Sequence, residues 1–154
     1  MRPGVRLGVD VGKARIGLAK SDATGTLAVP LATIRARAEP IFETLKFIGA
    51  HDVMEIIIGL PVNLKREHTG STAMAQKFAQ ELSNMTTIPV RVLDERLSTV
   101  TAQAQLHEAG RNTRRSRSVI DQQAAVIILQ NALDYERTTG ELPGQIVKAS
   151  EGWL

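Results

Sequence analysis

The segment RLGVDVGKARIGLAKSD, residues 6–22, alternates apolar residues with small or polar ones on both sides of a Gly-Lys-Ala turn. Alternation with a period of two describes a pair of strands joined as a hairpin. A hairpin here commits the following chain to extending and covering a sheet. One residue departs from the pattern: Asp10 stands between Val9 and Val11, where a buried strand would continue with Val or Ile. A carboxylate in that position costs stability unless a cation meets it.

The rest of the chain supplies the other parts of such a sheet. TLAVPLATI reads as a third strand after the turn SDATGT, and Ile41, Leu45 and Ile48 recur at helical spacing between Glu39 and Ala50. VMEIIIGL is a short apolar run ended by Gly59 and Pro61, as expected of a strand buried on both faces. After the polar loop VNLKREHTG, residues Thr69 to Ser71 can cap a helix that turns Ala73, Met74, Phe78 and Leu82 inward. IPVRVLDER is the next strand. A helix over Ser98–Glu108 follows, AGRNTRRSR breaks it, and SVIDQQAAVIILQNALDYER forms a long last helix with Ser118 as its cap. This order predicts an α/β fold: a five-stranded mixed sheet, antiparallel at its start, with crossover helices on both faces. The expected domain covers residues 1–137. In the tail, 138–154, Gly140, Pro143 and Gly144 argue against helix and predict irregular structure.

Composition narrows the functional classes. A chain of 154 residues, 43% hydrophobic and 23% charged, suits one globular domain. It has no cysteine, which removes disulfides and thiolate zinc sites. No apolar run approaches the roughly 20 residues of a membrane span, and MRPGVRLGVD is too short and too soon acidic for a signal peptide. The expectation is a cytoplasmic protein with no membrane partner. The net charge of +3 is mild, so an acidic partner must be read by local clusters. GRNTRRSR is such a cluster, with Arg111, Arg114, Arg115 and Arg117 and no acid. Aromatic residues make up 3%, too few for stacking on unpaired bases, which favours recognition by backbone and shape. His51, His68 and His107 are too scattered for a metal triad, and neither G-x-S-x-G nor a P-loop occurs.

Three places offer carboxylates at positions where an α/β sheet opens its crevice: Asp10, the pair Asp94 and Glu95, and Asp121. Singly, each has an ordinary reading, Asp121 as a helix-terminus acid and Asp94 or Glu95 as a partner of Arg91 or Arg96. Together with their surroundings they say more. GVDVGKARIGLAKSD, IIIGLPVNLKREHTGS, VRVLDERLSTVTAQ and SVIDQQAAVIILQNAL resemble, in order and spacing, the YqgF/RuvX family of the ribonuclease H-like superfamily, over roughly residues 5–137. The loop VNLKREHTGS is longer and more basic than the family pattern.

The resemblance implies a ribonuclease H-like fold and a nuclease with three catalytic, metal-binding carboxylates, which by motif are Asp10, Glu95 and Asp121. It implies Mg²⁺ or Mn²⁺ as cofactor, and two substrates compete: the 5′ end of precursor 16S ribosomal RNA and the Holliday junction. The residue types suit that chemistry, since two divalent ions about 3.5–4 Å apart can activate water and stabilise the leaving oxygen of a phosphodiester, and Mg²⁺ prefers oxygen ligands. Around these acids, Lys13 and Arg15 in the hairpin, Gly70 and Ser71 at a helix start, Arg96 beside Glu95, and Arg114, Arg115 and Arg117 before Asp121 are candidates for phosphate contacts. The expected partner is structured RNA or branched DNA. Paired cuts in a junction would require a homodimer, whereas trimming one RNA end would not. GVDVGKARIGLA is also similar to the phosphate-binding hairpin of actin-like ATPases and sugar kinases, but those close two such domains around a nucleotide. A binding module without catalysis is the remaining alternative.

Overall fold

The alternation in the first strand sorts its residues between two layers. The computed structural model describes residues 1–61, 70–95 and 117–149, with the backbone alone at Arg117, Ser118, Val119 and Asp121. In β1 (Val5–Val11), Leu7, Val9 and Val11 join one core cluster, while Gly8 meets the helix on the other face. Arg6 and Asp10 share the face of Gly8, because side chains two residues apart project to the same side.

β1 pairs antiparallel with β2 (Arg15–Ser21), and β2 with β3 (Ala28–Arg35). After α1 (Pro40–Ala50), β4 (Val53–Leu60) returns parallel to β1; after α2 (Gly70–Met85), β5 (Val90–Asp94) lies parallel to β4. The last helix, α3 (Arg117–Thr139), precedes β6 (Gln145–Val147), which pairs antiparallel with β5. The sheet order is β3-β2-β1-β4-β5-β6. Among the described residues no helix is long and apolar enough to cross a membrane.

The apolar run of β4 is explained by burial on both sides. Ile56 and Ile58 pack with Ile48, Phe78 and Leu82 under α1 and α2, and Ile57 packs with Ala125, Ile128 and Leu129 of α3. α3 lies very close to β1: a Cβ on Gly8 would stand 2.7 Å from Leu129 Cβ and 2.8 Å from the Ala125 carbonyl oxygen. Any larger residue there would lift the helix away from the strand.

The structure corrects three expectations. The sheet has six strands, not five, and the extra one comes from the tail, which is therefore not wholly irregular. β6 is short and exposed at Gln145 and Ile146, so it carries no alternation long enough to read. Its pairing comes from β5 and from α2, where Gln80 Nε2 donates to the Lys148 carbonyl at 2.8 Å and Ser83 Oγ to that of Val147 at 3.1 Å. Ser118 lies within α3 rather than capping it, because the helix begins at Arg117. The helix expected over Ser98–Glu108 lies outside the described residues.

At the amino-terminal ends of β1, β4 and β5, charges that look unrelated in the sequence form one network. Arg2 donates to Glu55 at 3.0 and 3.1 Å and to Glu136 at 2.6 Å, Arg6 to Glu136 at 3.3 Å, and Arg91 to Glu55 at 3.1 Å. Arg6, Glu55 and Glu136 are buried. The hydrogen bond from Arg2, with further help from the charges of Arg2 and Arg6, holds the Glu136 carboxyl below its usual range despite burial.

Candidate active site

Asp10 and Arg6 share one face of β1, and the fold separates them to opposite ends of the strand. Arg6 meets a carboxylate, whereas Asp10 faces others. Asp10, Asp94 and Glu95 line a cavity of about 90 Å³ walled by Leu93 and, from α3, Ala124, Ile127, Ile128 and Asn131. Asp10 stands opposite Gly17 in the β1–β2 ladder, and Asp94 opposite Leu60 in the β4–β5 ladder. The acids are thus fixed at the carboxyl ends of strands, where an α/β sheet opens its crevice.

Glu95 follows β5 directly. Burial first, and then the negative charges of Asp10 and Asp94, push its carboxyl up to about 7. Gly59 of β4 makes room for it: a Cβ there would stand 2.6 Å from Glu95 Oε1 and 2.6 Å from Ile128 Cδ1. In the sequence Gly59 marks only the end of a strand, and Asn131 stands out by no motif. Both depend on what the fold brings over them, which no local pattern shows.

The backbone of Asp121 is the fifth residue of α3. Its neighbour Gln122 donates through Nε2 to Thr33 Oγ1 at 2.9 Å. Thr33 is opposite Gly17, which is opposite Asp10. That bond ties this turn of α3 to the row of the sheet that contains Asp10. Among the described residues, no group of three His, Cys, Asp or Glu is gathered closely enough to hold an ion.

Of the residues expected to contact phosphate, Lys13 and Arg15 come together with Arg35 and Arg37 around a separate groove. Gly70 and Ser71 begin α2 and are exposed. The next residue, Thr72, donates through its hydroxyl to the Pro61 carbonyl, fixing this helix start to the end of β4. It belongs to the α2 side of the sheet, outside the carboxylate cavity. Arg117 is the first residue of α3 by its backbone. Arg96, Arg114 and Arg115 lie outside the described residues.

Three antiparallel strands, two parallel strands beside them and a helix laid over the acid of the central strand define a ribonuclease H-like α/β protein. A RuvC from T. thermophilus, solved in complex with Holliday junction substrate, has the same fold, with a TM-score of 0.61 at 15% identity over 94% of this chain and 99% of that one. Residues 4–135 match the RuvX family, described as Holliday junction resolvase, and the chain belongs to that family. It is 49% identical over 150 residues to a protein of Clavibacter michiganensis subsp. michiganensis, covering 96% of this chain and 93% of the relative. It is 48% identical over 157 residues to one of Leifsonia xyli subsp. xyli, covering 99% of each. Both relatives bear the name "Putative pre-16S rRNA nuclease".

Proposed function

We propose that this chain is a divalent-metal-dependent nuclease of the cytoplasm that hydrolyses phosphodiester bonds, with the 5′ end of pre-16S ribosomal RNA as its substrate. The observation that carries the reading is the meeting of Asp10 and Glu95, distant in sequence, in one cavity under α3. The names of relatives nearly half identical over almost the whole chain favour the RNA substrate.

The donor chemistry suits a divalent cation. Asp10 and Glu95, which share the cavity, offer oxygen atoms only, as Mg²⁺ and Mn²⁺ prefer, Asp121 would add a third carboxylate from α3, and Glu95 is pushed up because a negative charge is disfavoured there. In the proposed mechanism Asp10, Glu95 and Asp121 are the catalytic carboxylates that would hold two ions. When bound, such ions supply the charge that offsets these acids and generate a nucleophilic hydroxide near neutral pH. Asp10, held in a central strand, fixes the position of the cut. With its carboxyl pushed up to about 7, Glu95 holds a proton well above the usual carboxylate range in the metal-free protein and must release it before serving as a ligand. Ile127 and Ile128 limit water at the inner wall, and Asn131 offers an amide to the substrate. Lys13, Arg15, Gly70, Ser71, Arg96, Arg114, Arg115 and Arg117 would bind the flanking phosphates.

A second reading, resolution of Holliday junctions, is favoured by the description of the family itself. Paired cuts would require a homodimer, so solution mass with and without junction DNA separates the two. The test of the mechanism is cleavage of labelled structured RNA and of a four-way DNA junction in Mg²⁺, Mn²⁺ or EDTA. Asp10→Asn, which keeps the side chain's shape and removes its charge, is expected to lower cleavage by at least about a hundredfold, on the scale of lost electrostatic stabilisation, while remaining folded. A folded Asp10→Asn protein cutting at the wild-type rate would overturn the mechanism; binding without any cleavage by the wild type would leave a binding module.

A further inference from the structure

α3 is held to the sheet in two different ways. Over most of its length it is held by packing: Ala125, Ile128, Leu129, Ala132 and Leu133 are buried in one cluster with Ala19, Ala28, Ile57 and Leu93. Apolar burial is non-directional, so it presses the helix onto the strands without fixing how far it slides or turns. Among the described residues, no member of α3 before Ala125 belongs to that cluster. By its backbone, Asp121 lies one turn nearer the amino end than this first anchor.

What fastens that turn is polar. Gln122 donates through Nε2 to Thr33 Oγ1 at 2.9 Å, a part-buried bond between the helix and β3. Thr33 ends the cross-strand row Asp10, Gly17, Thr33. Directly opposed residues place their side chains on one face, and Gly17 puts none between the two. With neighbouring strands about 4.8 Å apart, the bond meets the row roughly 10 Å from Asp10. Consecutive Cα atoms are about 3.8 Å apart, so holding Gln122 against this row also holds the backbone of Asp121. A hydrogen bond weakens steeply when it is bent or stretched, and it therefore specifies the register that packing leaves open.

A second glutamine on the same helix provides the contrast. Gln130 accepts at Oε1 from the Ala28 N–H at 2.9 Å and donates through Nε2 to the Thr26 carbonyl at 3.0 Å. At about 1.5 Å per residue it stands roughly 12 Å along α3 from Gln122. It lies among Leu129, Ala132 and Leu133, where the helix is already packed, and at the end of β3 remote from the Asp10 row.

We propose that Gln122 is a positioning residue: its bond to Thr33 sets the register of α3 over the sheet, and with it the place of Asp121 relative to Asp10, on which the hold of a divalent cation depends. This role rests on the carboxylate reading of the site, and metal binding tests both without cleavage. Mn²⁺ is titrated into the full chain without nucleic acid, free Mn²⁺ being read from its paramagnetic resonance signal, beside thermal melts. Gln122→Met and Thr33→Val, which keep size and lose the bond, should each weaken Mn²⁺ binding about tenfold, the lower end of the loss when a group that orients a metal ligand is removed. The double variant should bind no worse than the weaker single one, since there is one bond to lose. Thr33→Ser, which keeps the hydroxyl, should bind as the wild type does. Melting should fall by no more than about 2–4 °C in Gln122→Met, the shift of one net hydrogen bond in a chain of this size. Gln130→Met should cost at least as much in melting temperature and leave Mn²⁺ affinity unchanged. Wild-type Mn²⁺ affinity in folded Gln122→Met and Thr33→Val, or an equal loss in Gln130→Met, would overturn the role of Gln122. Asp10→Asn separates this from the mechanism. If it also binds Mn²⁺ as the wild type does, the carboxylate reading falls and the positioning role with it; if it loses the ion while Gln122→Met keeps it, the positioning role falls alone.

Discussion

Glu95 is the residue whose surroundings have the most direct consequence for pH behaviour. Its carboxyl is raised from 4.5 to about 7 in the fold. Between those values the native protein therefore binds more protons at this site than the unfolded chain does, and stability contributed there falls as pH rises. Glu95→Gln removes this penalty. In EDTA, the variant should melt above the wild type at pH 8, and the gap should close by pH 4; an equal gap at both pH values would show that the group is not so perturbed. Asp10 was legible in the sequence because a charge broke an apolar alternation, and Glu95 because a family motif quoted it. Gly59 was not, since its requirement comes from the Glu95 and Ile128 side chains that cross it. The meeting of Arg35 and Arg37 with Lys13 and Arg15 is not legible for a related reason. In TIRARAE they look like ordinary turn charges until the β1–β2 turn is laid beside them.

Among the described elements, those with a strong period are legible in the sequence and β6, which has none, is not. β1 to β5, α1 and α2 follow from alternation and helical spacing, whereas three-residue β6 exists because β5 offers an unpaired edge. β6 nevertheless bears on the site. It covers the outer edge of the strand whose end carries Asp94 and Glu95, and Arg91 Nη1 reaches the Pro143 carbonyl at 3.4 Å. Removing residues 141–154 deletes the β5–β6 ladder and the bonds from Gln80 and Ser83. At about 1 kcal/mol for each lost hydrogen bond, the truncated chain should lose roughly 2–4 kcal/mol of stability. A urea midpoint measured beside that of the full chain checks this, and an unshifted midpoint would reduce β6 to an ornament of the edge.

At the scale of the whole molecule, the Arg2, Arg6, Glu55, Arg91 and Glu136 network fastens the end of the sheet remote from Asp10. No sequence pattern announces a bond between residues as far apart as Arg2 and Glu136. Glu136→Gln should cost on the order of 3 kcal/mol, because it leaves the buried Arg6 without its full counter-charge. The Glu136 carboxyl is held below 4.5, so its contribution is present above that pH and is lost as pH falls through its lower folded value. The difference between wild type and variant should accordingly be large at pH 7 and shrink in acid, as thermal melts will show; a constant difference would assign the loss to packing instead. The same network has a consequence for a chain born on a ribosome, where the amino end emerges first. Arg2 is made 134 residues before Glu136, its partner on α3, the helix that also roofs the Asp10 cavity. A copy in which α3 has not yet been made carries Asp10 on an uncovered hairpin, and the cavity forms only once α3 is present.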